Sequence, residues 1–155
     1  MPVKSQLPPG FRLQVGKRCD RALLMHCLWH SYQAVNPQVA SDHLVNLLDQ
    51  YWTEATPVWF AYAMDTEMPC GCLWLGRAVD ALTGERYTHV FLVYVAPDYR
   101  RRGLGSALMA HAEQWAAHQG DRQMGLQVFT GHQPAQQLYQ SLGYQSQSLS
   151  LVKAL

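Results

Sequence analysis

The chain has 155 residues and a mass of 17.6 kDa, the size of one compact domain; 48% hydrophobic against 15% charged residues supply a core and exclude a disordered chain. Twelve Lys and Arg against eleven Asp and Glu leave a net charge of +1, which argues against a nucleic-acid binder working through a broad basic face. Apolar runs such as 90–96 fall far short of the roughly 20 residues a bilayer crossing needs, and residues 1–10 hold three prolines and no apolar leader core, so a soluble, cytoplasmic domain with no membrane partner is expected.

Residues 11–15 alternate apolar and polar, as a first strand does. Asp20 is placed to cap a helix running to about 33, with Leu24, Cys27, Leu28 and Ser31 on one face. Ser41 can cap a second helix to about 54, striped by Leu44, Leu47, Leu48, Tyr51 and Trp52, before Pro57 ends the helical region. Residues 58–63 and 70–79 read as strands joined by a turn at 65–69, and 87–95, rich in β-branched and aromatic residues, is the strongest strand in the sequence. After the break at Pro97 and Asp98 a helix is expected from about 103 to 118, repeating Leu104, Ala107, Leu108, His111 and Trp115 and stopped by Gly120. A strand at 124–129, a helix at 134–142 between Pro134 and Gly143, and a closing strand at 144–152 complete the order β-α-α-β-β-β-α-β-α-β. That order is α+β or mixed α/β, with helices packed on a twisted sheet.

The four cysteines are Cys19, Cys27, Cys70 and Cys72, and none forms a Cys-x-x-Cys pair. Cys70 and Cys72, two apart, would share one face of a strand. With no second ligand pair, a zinc site is not supported, and all four read as reduced thiols.

The stretch that carries chemistry is 93–106, Val-Tyr-Val-Ala-Pro-Asp-Tyr-Arg-Arg-Arg-Gly-Leu-Gly-Ser. A strand ends, a loop turns, and a helix opens with Gly103 and Gly105 in its first turn. A helix N-terminus leaves backbone N–H groups unpaired and partially positive, which suits phosphate. Glycine lets the backbone approach without a Cβ in the way, and Arg100, Arg101 and Arg102 supply cations. The plain alternative is a solvated basic loop, against which the strand context and the three adjacent arginines weigh. A Walker A loop needs Gly-Lys-Ser/Thr, which is missing, and a dinucleotide fingerprint needs a third small residue where Leu108 stands.

The pattern that remains is Arg-x-x-Gly-x-Gly at Arg100, Gly103 and Gly105, and it resembles the GNAT superfamily of N-acetyltransferases. A second block, Ala135-Gln-Gln-Leu138-Tyr139-Gln-Ser-Leu142-Gly143-Tyr144, is similar to the family's Ala-x-x-Leu-Tyr-x-x-Leu-Gly-Phe/Tyr. The two lie in the family's order, about 30 residues apart, and cover roughly 90–144. The resemblance implies an α/β (α+β) domain over 1–155, with a twisted mixed sheet of about six to seven strands and about four helices. It implies acetyl-CoA as cosubstrate and no metal. Val93, Tyr94 and Val95 would line the pantetheine arm, with the Val95 amide near the thioester oxygen, where such a donor stabilises the oxyanion that develops on attack. Arg101, Arg102, Gly103, Leu104, Gly105 and Ser106, with Arg100, would form the pyrophosphate loop. Tyr139 would protonate the departing thiolate, a role open to a phenol whose ordinary pKa is near ~10; its plain alternative is a core aromatic beside Leu138 and Leu142.

Two positions depart from the family. His132 stands where an Asn is frequent, seven residues before the tyrosine. Gln127 stands where the ribosomal-type protein N-terminal acetylases carry a Glu base. Yet only the unprotonated amine attacks, so the proton must go somewhere. His89 is the first candidate base, because period two puts it on one strand face with Phe91, Val93 and Val95, and its ordinary pKa of about 6.5 suits the task. His132 is the second, with helix capping or replacement of the Asn as its alternatives. Glu85, Glu54 and a chain of waters follow. Trp29, Tyr32, Tyr51, Trp52, Trp59 and Trp74 are either core or the walls of an acceptor pocket.

The expected activity is acetyl transfer from acetyl-CoA to a primary amine of a small molecule or peptide, in a ternary complex, with no nucleic-acid partner and a homodimer as one arrangement the fold allows. A non-catalytic acyl-CoA sensor or interaction module is the alternative, and a nucleotide-binding domain the third reading.

Overall fold

A computed structural model describes residues 7–155; residues 1–6, part of the segment read above for a leader, lie outside the described residues. Five strands form one sheet in the order β1-β2-β3-β4-β5, namely β1 Phe11–Val15, β2 Val58–Ala63, β3 Gly71–Val79, β4 Arg86–Val95 and β5 Met124–Leu126. Four helices flank it: α1 Arg21–Val35, α2 Asp42–Tyr51, α3 Leu104–His118 and α4 Gln133–Ser141. The first four strands run antiparallel to their neighbours, and β5 lies parallel to β4. No described helix is long and apolar enough to cross a membrane.

The central strands β2 and β3 are apolar without alternation because both of their faces are covered. On one face Leu24 and Leu28 of α1 and Leu44 and Leu48 of α2 pack against Phe60, Cys72, Trp74, Leu92 and Tyr94. On the other, Leu104, Leu108 and Ala112 of α3 pack against Trp59, Leu73, Leu75 and Val90, with Tyr139 and Leu142 from the α4 region at the margin. An ion pair ties the strands to the end of α3. Both guanidinium nitrogens of Arg77 donate to Asp121 at 2.7 and 2.9 Å, and the Thr88 hydroxyl donates to the same carboxylate, which is 4% exposed.

Several expectations need correction. Among the described residues the sheet has five strands rather than six or seven. Residues 144–155 form no strand, and Leu149, Leu151 and Val152 stand 83%, 87% and 95% exposed. The second helix stops at Tyr51, because Trp52 turns extended and the Thr56 hydroxyl closes the next turn by donating to the Tyr51 carbonyl. Cys70 and Cys72 do not share a face: β3 begins at Gly71, so Cys70 lies outside its pleat, in the α3-side core, while Cys72 is in the α1/α2-side core.

The most consequential difference is in β4. Trp74 pairs with Leu92 and Leu75 with Val90, so Phe91 is an extra residue, a β-bulge. Its ring lies over Gly76, where a Cβ would come within 2.0 Å of it. Ahead of the bulge, Thr88 and Val90 face α3 while His89 and Phe91 face α1 and α2; beyond it, Val93 and Val95 face α3 and α4. A bulge also sharpens the local twist. β5 pairs with β4 only at Thr88, His89 and Val90, and that is why β5 ends at Leu126 instead of reaching 129.

Candidate active site

Where β4 turns away from β5, its edge is left without a strand partner. The Ala96 N–H donates to the Cys70 carbonyl at 2.8 Å, which fixes the phase of the antiparallel ladder. Residues two apart share one hydrogen-bonding edge, so Tyr94 and Leu92 also spend their backbone groups on β3. Val93 and Val95 therefore direct their amides to the open side. The Val95 carbonyl on that side accepts a hydrogen bond from Arg100 Nε at 3.1 Å, so the loop that follows is clasped to the strand end.

The loop runs through a single 3-10 turn, Pro97–Tyr99, and reverses with two left-handed residues, Arg101 at φ 63° and Gly103 at φ 80°. Glycine takes this conformation freely, whereas for arginine it costs about 1 kcal/mol. The reversal brings the first turn of α3 under the end of β4. Gly105 is the point of closest approach: a Cβ there would lie 3.4 Å from Leu138 of α4 and 3.9 Å from Val95. Both sequence blocks and the strand edge thus meet at one place. Arg101, Arg102 and Ser106 are exposed around it, and the Arg102 guanidinium sits 5.4 Å over the Tyr99 ring.

Tyr139 follows Leu138 on α4 and is half-buried against the same core that holds Val93, Val95 and Leu126. Its ring meets Tyr144 edge-on at 6.0 Å, and burial pushes its hydroxyl pKa above the ordinary tyrosine value. His132, half-buried, occupies the N-cap position of α4, but its side chain makes no capping hydrogen bond. The loop before it is held instead by Gln136, whose amide donates to the carbonyls of Phe129 and Thr130. Gln127 is exposed at the end of β5.

His89 is not with this group. The bulge puts it on the α1/α2 face, opposite Val93 and Val95, between Tyr87 and Phe91, and six positions at roughly 3.3 Å each separate it from Val95. The shared face expected from period two does not exist, and direct proton transfer to His89 from a group at Val95 is out of reach. Burial lowers its pKa. Sequence reasoning missed the bulge although a signal was there: a glycine inside a strand, Gly76, marks a bulge or a close approach.

The residues fit a phosphorylated, extended ligand. A helix N-terminus entered through a left-handed glycine, three arginines around it and an unpaired strand edge leading away provide phosphate donors at one end and amide donors along the rest. Among the described residues, no group of three His, Cys, Asp or Glu is arranged to hold a metal ion.

The profile of the acetyltransferase (GNAT) family matches residues 23–144. Among solved structures, a ribosomal-protein-alanine N-acetyltransferase from Brucella melitensis biovar Abortus 2308 is 19% identical, with 94% of this chain and 99% of that chain covered and a TM-score of 0.73. A Trypanosoma brucei acetyltransferase is 22% identical, with 94% and 99% covered and a TM-score of 0.68. The aminoglycoside N-acetyltransferase AAC(6')-Iy in complex with CoA is 16% identical, with 94% of each chain covered and a TM-score of 0.71. These likenesses show a shared fold, and the family match spans most of the chain, including both sequence blocks and the strand edge that precedes them: the chain belongs to the GNAT family of acetyltransferases.

Proposed function

We propose that this chain, as one cytoplasmic domain, transfers an acetyl group from acetyl-CoA to a primary amine of a small molecule or peptide by direct attack in a ternary complex. The observation that carries the reading is the meeting at Gly105 of the open Val93–Val95 edge, the Arg100–Gly105 loop and Leu138, the residue before Tyr139. The loop and the first turn of α3 hold the pyrophosphate. The Val95 N–H donates to the thioester oxygen as negative charge builds there. The amine nitrogen forms its bond to the carbonyl carbon, the C–S bond breaks, and Tyr139 delivers a proton to the sulfur while the amine's proton leaves to water. Structural neighbours named for aminoglycoside and ribosomal-protein alanine acetylation both act on nitrogen, which supports an amine acceptor.

The test is thermal unfolding with acetyl-CoA, CoA, ATP or NAD added separately. A ligand at about 100 times its Kd adds about 2.7 kcal/mol, or roughly 5–10 °C for a domain of this size. The expected result is a shift with both CoA species and none with ATP or NAD. An amine panel follows; binding without turnover of any amine would make the chain an acyl-CoA sensor instead.

A further inference from the structure

Helix α1 is anchored by Leu24, Cys27 and Leu28, which are buried in the core on its face of the sheet. His26 and His30 stand off that stripe, both half-buried, and have no part in the site above. Four residues apart on a helix, two side chains lie one above the other on the same face. Here the two imidazole rings meet at 4.3 Å between centroids, inclined at 62°, and the Trp29 ring stands 5.0 Å from that of His30. Neither histidine has a carboxylate ion-pair partner among the described residues.

Two imidazolium rings this close repel, as like charges four apart on a helix do. Burial first, and then the neighbouring His30, hold the pKa of His26 below the ordinary histidine value. At neutral pH His26 is therefore an uncharged ring with one nitrogen lone pair to give. Late first-row divalent metals take such donors, and the His-x-x-x-His spacing is the one by which helices offer two of them to a single ion. Mg²⁺ and Ca²⁺ need oxygen donors, which the pair does not provide.

We infer that His26 and His30 form a two-imidazole site for a late first-row transition-metal ion such as Ni²⁺ or Zn²⁺, with water in the remaining positions. Among the described residues no third His, Cys, Asp or Glu joins them, so the ion stays open to solvent and exchanges, unlike the closed four-ligand sites that hold a structural metal. The site lies on α1, across the sheet from α3 and α4, and it takes no part in acetyl transfer. Only the helix fixes the two rings one turn apart. The ion therefore binds the folded chain in preference to the unfolded one and clips a turn of the helix that packs on Leu92 and Tyr94 of β4. This arrangement does not depend on the acetyl-transfer reading.

The test uses the full chain with no added histidine tag. Titration calorimetry should find one saturable Ni²⁺ site per chain and none for Mg²⁺. Ni²⁺ at about 100 times its Kd should raise the unfolding midpoint by roughly 5–10 °C. In the proton spectrum, paramagnetic Ni²⁺ should first broaden the imidazole signals of two of the seven histidines, His26 and His30. His26→Gln and His30→Gln should each keep the metal-free midpoint and weaken Ni²⁺ binding by at least the roughly tenfold that losing an outer-shell partner costs. His43→Gln, at an exposed histidine of α2, should leave binding unchanged. No saturable uptake by about 1 mM Ni²⁺ overturns the inference. Broadening of other histidines first, or binding that survives either variant, places the ion elsewhere or on one ring alone and overturns it equally. Should a variant fail to fold, the broadening in the wild type decides.

Discussion

In the proposed reaction Tyr139 would donate to the departing thiolate, and burial holds its own pKa above the ordinary tyrosine value. A phenol held this way stays protonated throughout the neutral range, and in that role it would act on the leaving group by a hydrogen bond that becomes a transfer only as the C–S bond breaks. Tyr139→Phe should lower kcat by about 10²-fold or more and leave the Kd for CoA unchanged, since the hydroxyl matters only once charge develops. Equal loss of binding would make Tyr139 a packing residue. At His89 the expectation is the reverse. It lies on the wrong face and far along the strand, so His89→Gln should cost less than about tenfold in kcat and leave the acid limb of the pH–rate profile in place; a general base would cost about 10²–10⁴-fold.

Among the elements, β5 is the least self-sufficient: three residues paired with three. Its position depends on the connection from α3, which the Arg77–Asp121–Thr88 group fixes. Asp121 is almost fully buried and Arg77 is 29% exposed, so removing the carboxylate strands a largely desolvated cation. Asp121→Ala should destabilise the fold by about 2–3 kcal/mol, lowering the midpoint of thermal unfolding by roughly 5–10 °C. A loss within 1–2 °C would show the pair to be dispensable.

At this scale the sequence was legible where local rules act alone. β2 matches its expected bounds, β3 and β4 are within one residue, and α3 keeps its stripe of Leu104, Leu108 and His111. Local pattern failed where a partner decides. The alternation in 145–152 marks a strand in composition, yet a strand exists only against a neighbour, and among the described residues none pairs with it. Counting by two across β4 failed for a related reason, since a bulge is a property of the β3–β4 pairing and its trace in the sequence is one glycine, Gly76, on the opposite strand. The site loop was readable because its chemistry is contiguous, while the clasp of Arg100 on Val95 is set by the loop's three-dimensional path.

For the molecule as a whole, protons act through one buried and one half-buried histidine. His111 of α3 is 8% exposed, its ring 4.7 Å from that of Trp59, and neither ring nitrogen has a hydrogen-bond partner among the described residues. Burial lowers its pKa, as it does that of His89. The folded state thus prefers both neutral, and the unfolded chain takes up protons first as pH falls through about 6.5. Stability is fully present above that value and declines below it, by up to about 1.4 kcal/mol per pH unit for each group. Thermal midpoints should fall between about pH 7 and pH 5, and His111→Leu should flatten that dependence. An unchanged slope in the variant would assign the effect to other groups.

The surplus residue in β4 sets a contest between cohesion and catalysis. Without Phe91, Val90 and Leu92 would be neighbours and every other side chain would keep the face it has now, at the cost of the contacts the Phe91 ring makes with Trp74 and Tyr51. The strand would then run straight, β5 could zip along it past Leu126, and the amides of Val93 and Val95 would be consumed in pairing. A chain one residue shorter is thus expected to be an inert one, with the opening proposed for acetyl-CoA closed by its own backbone.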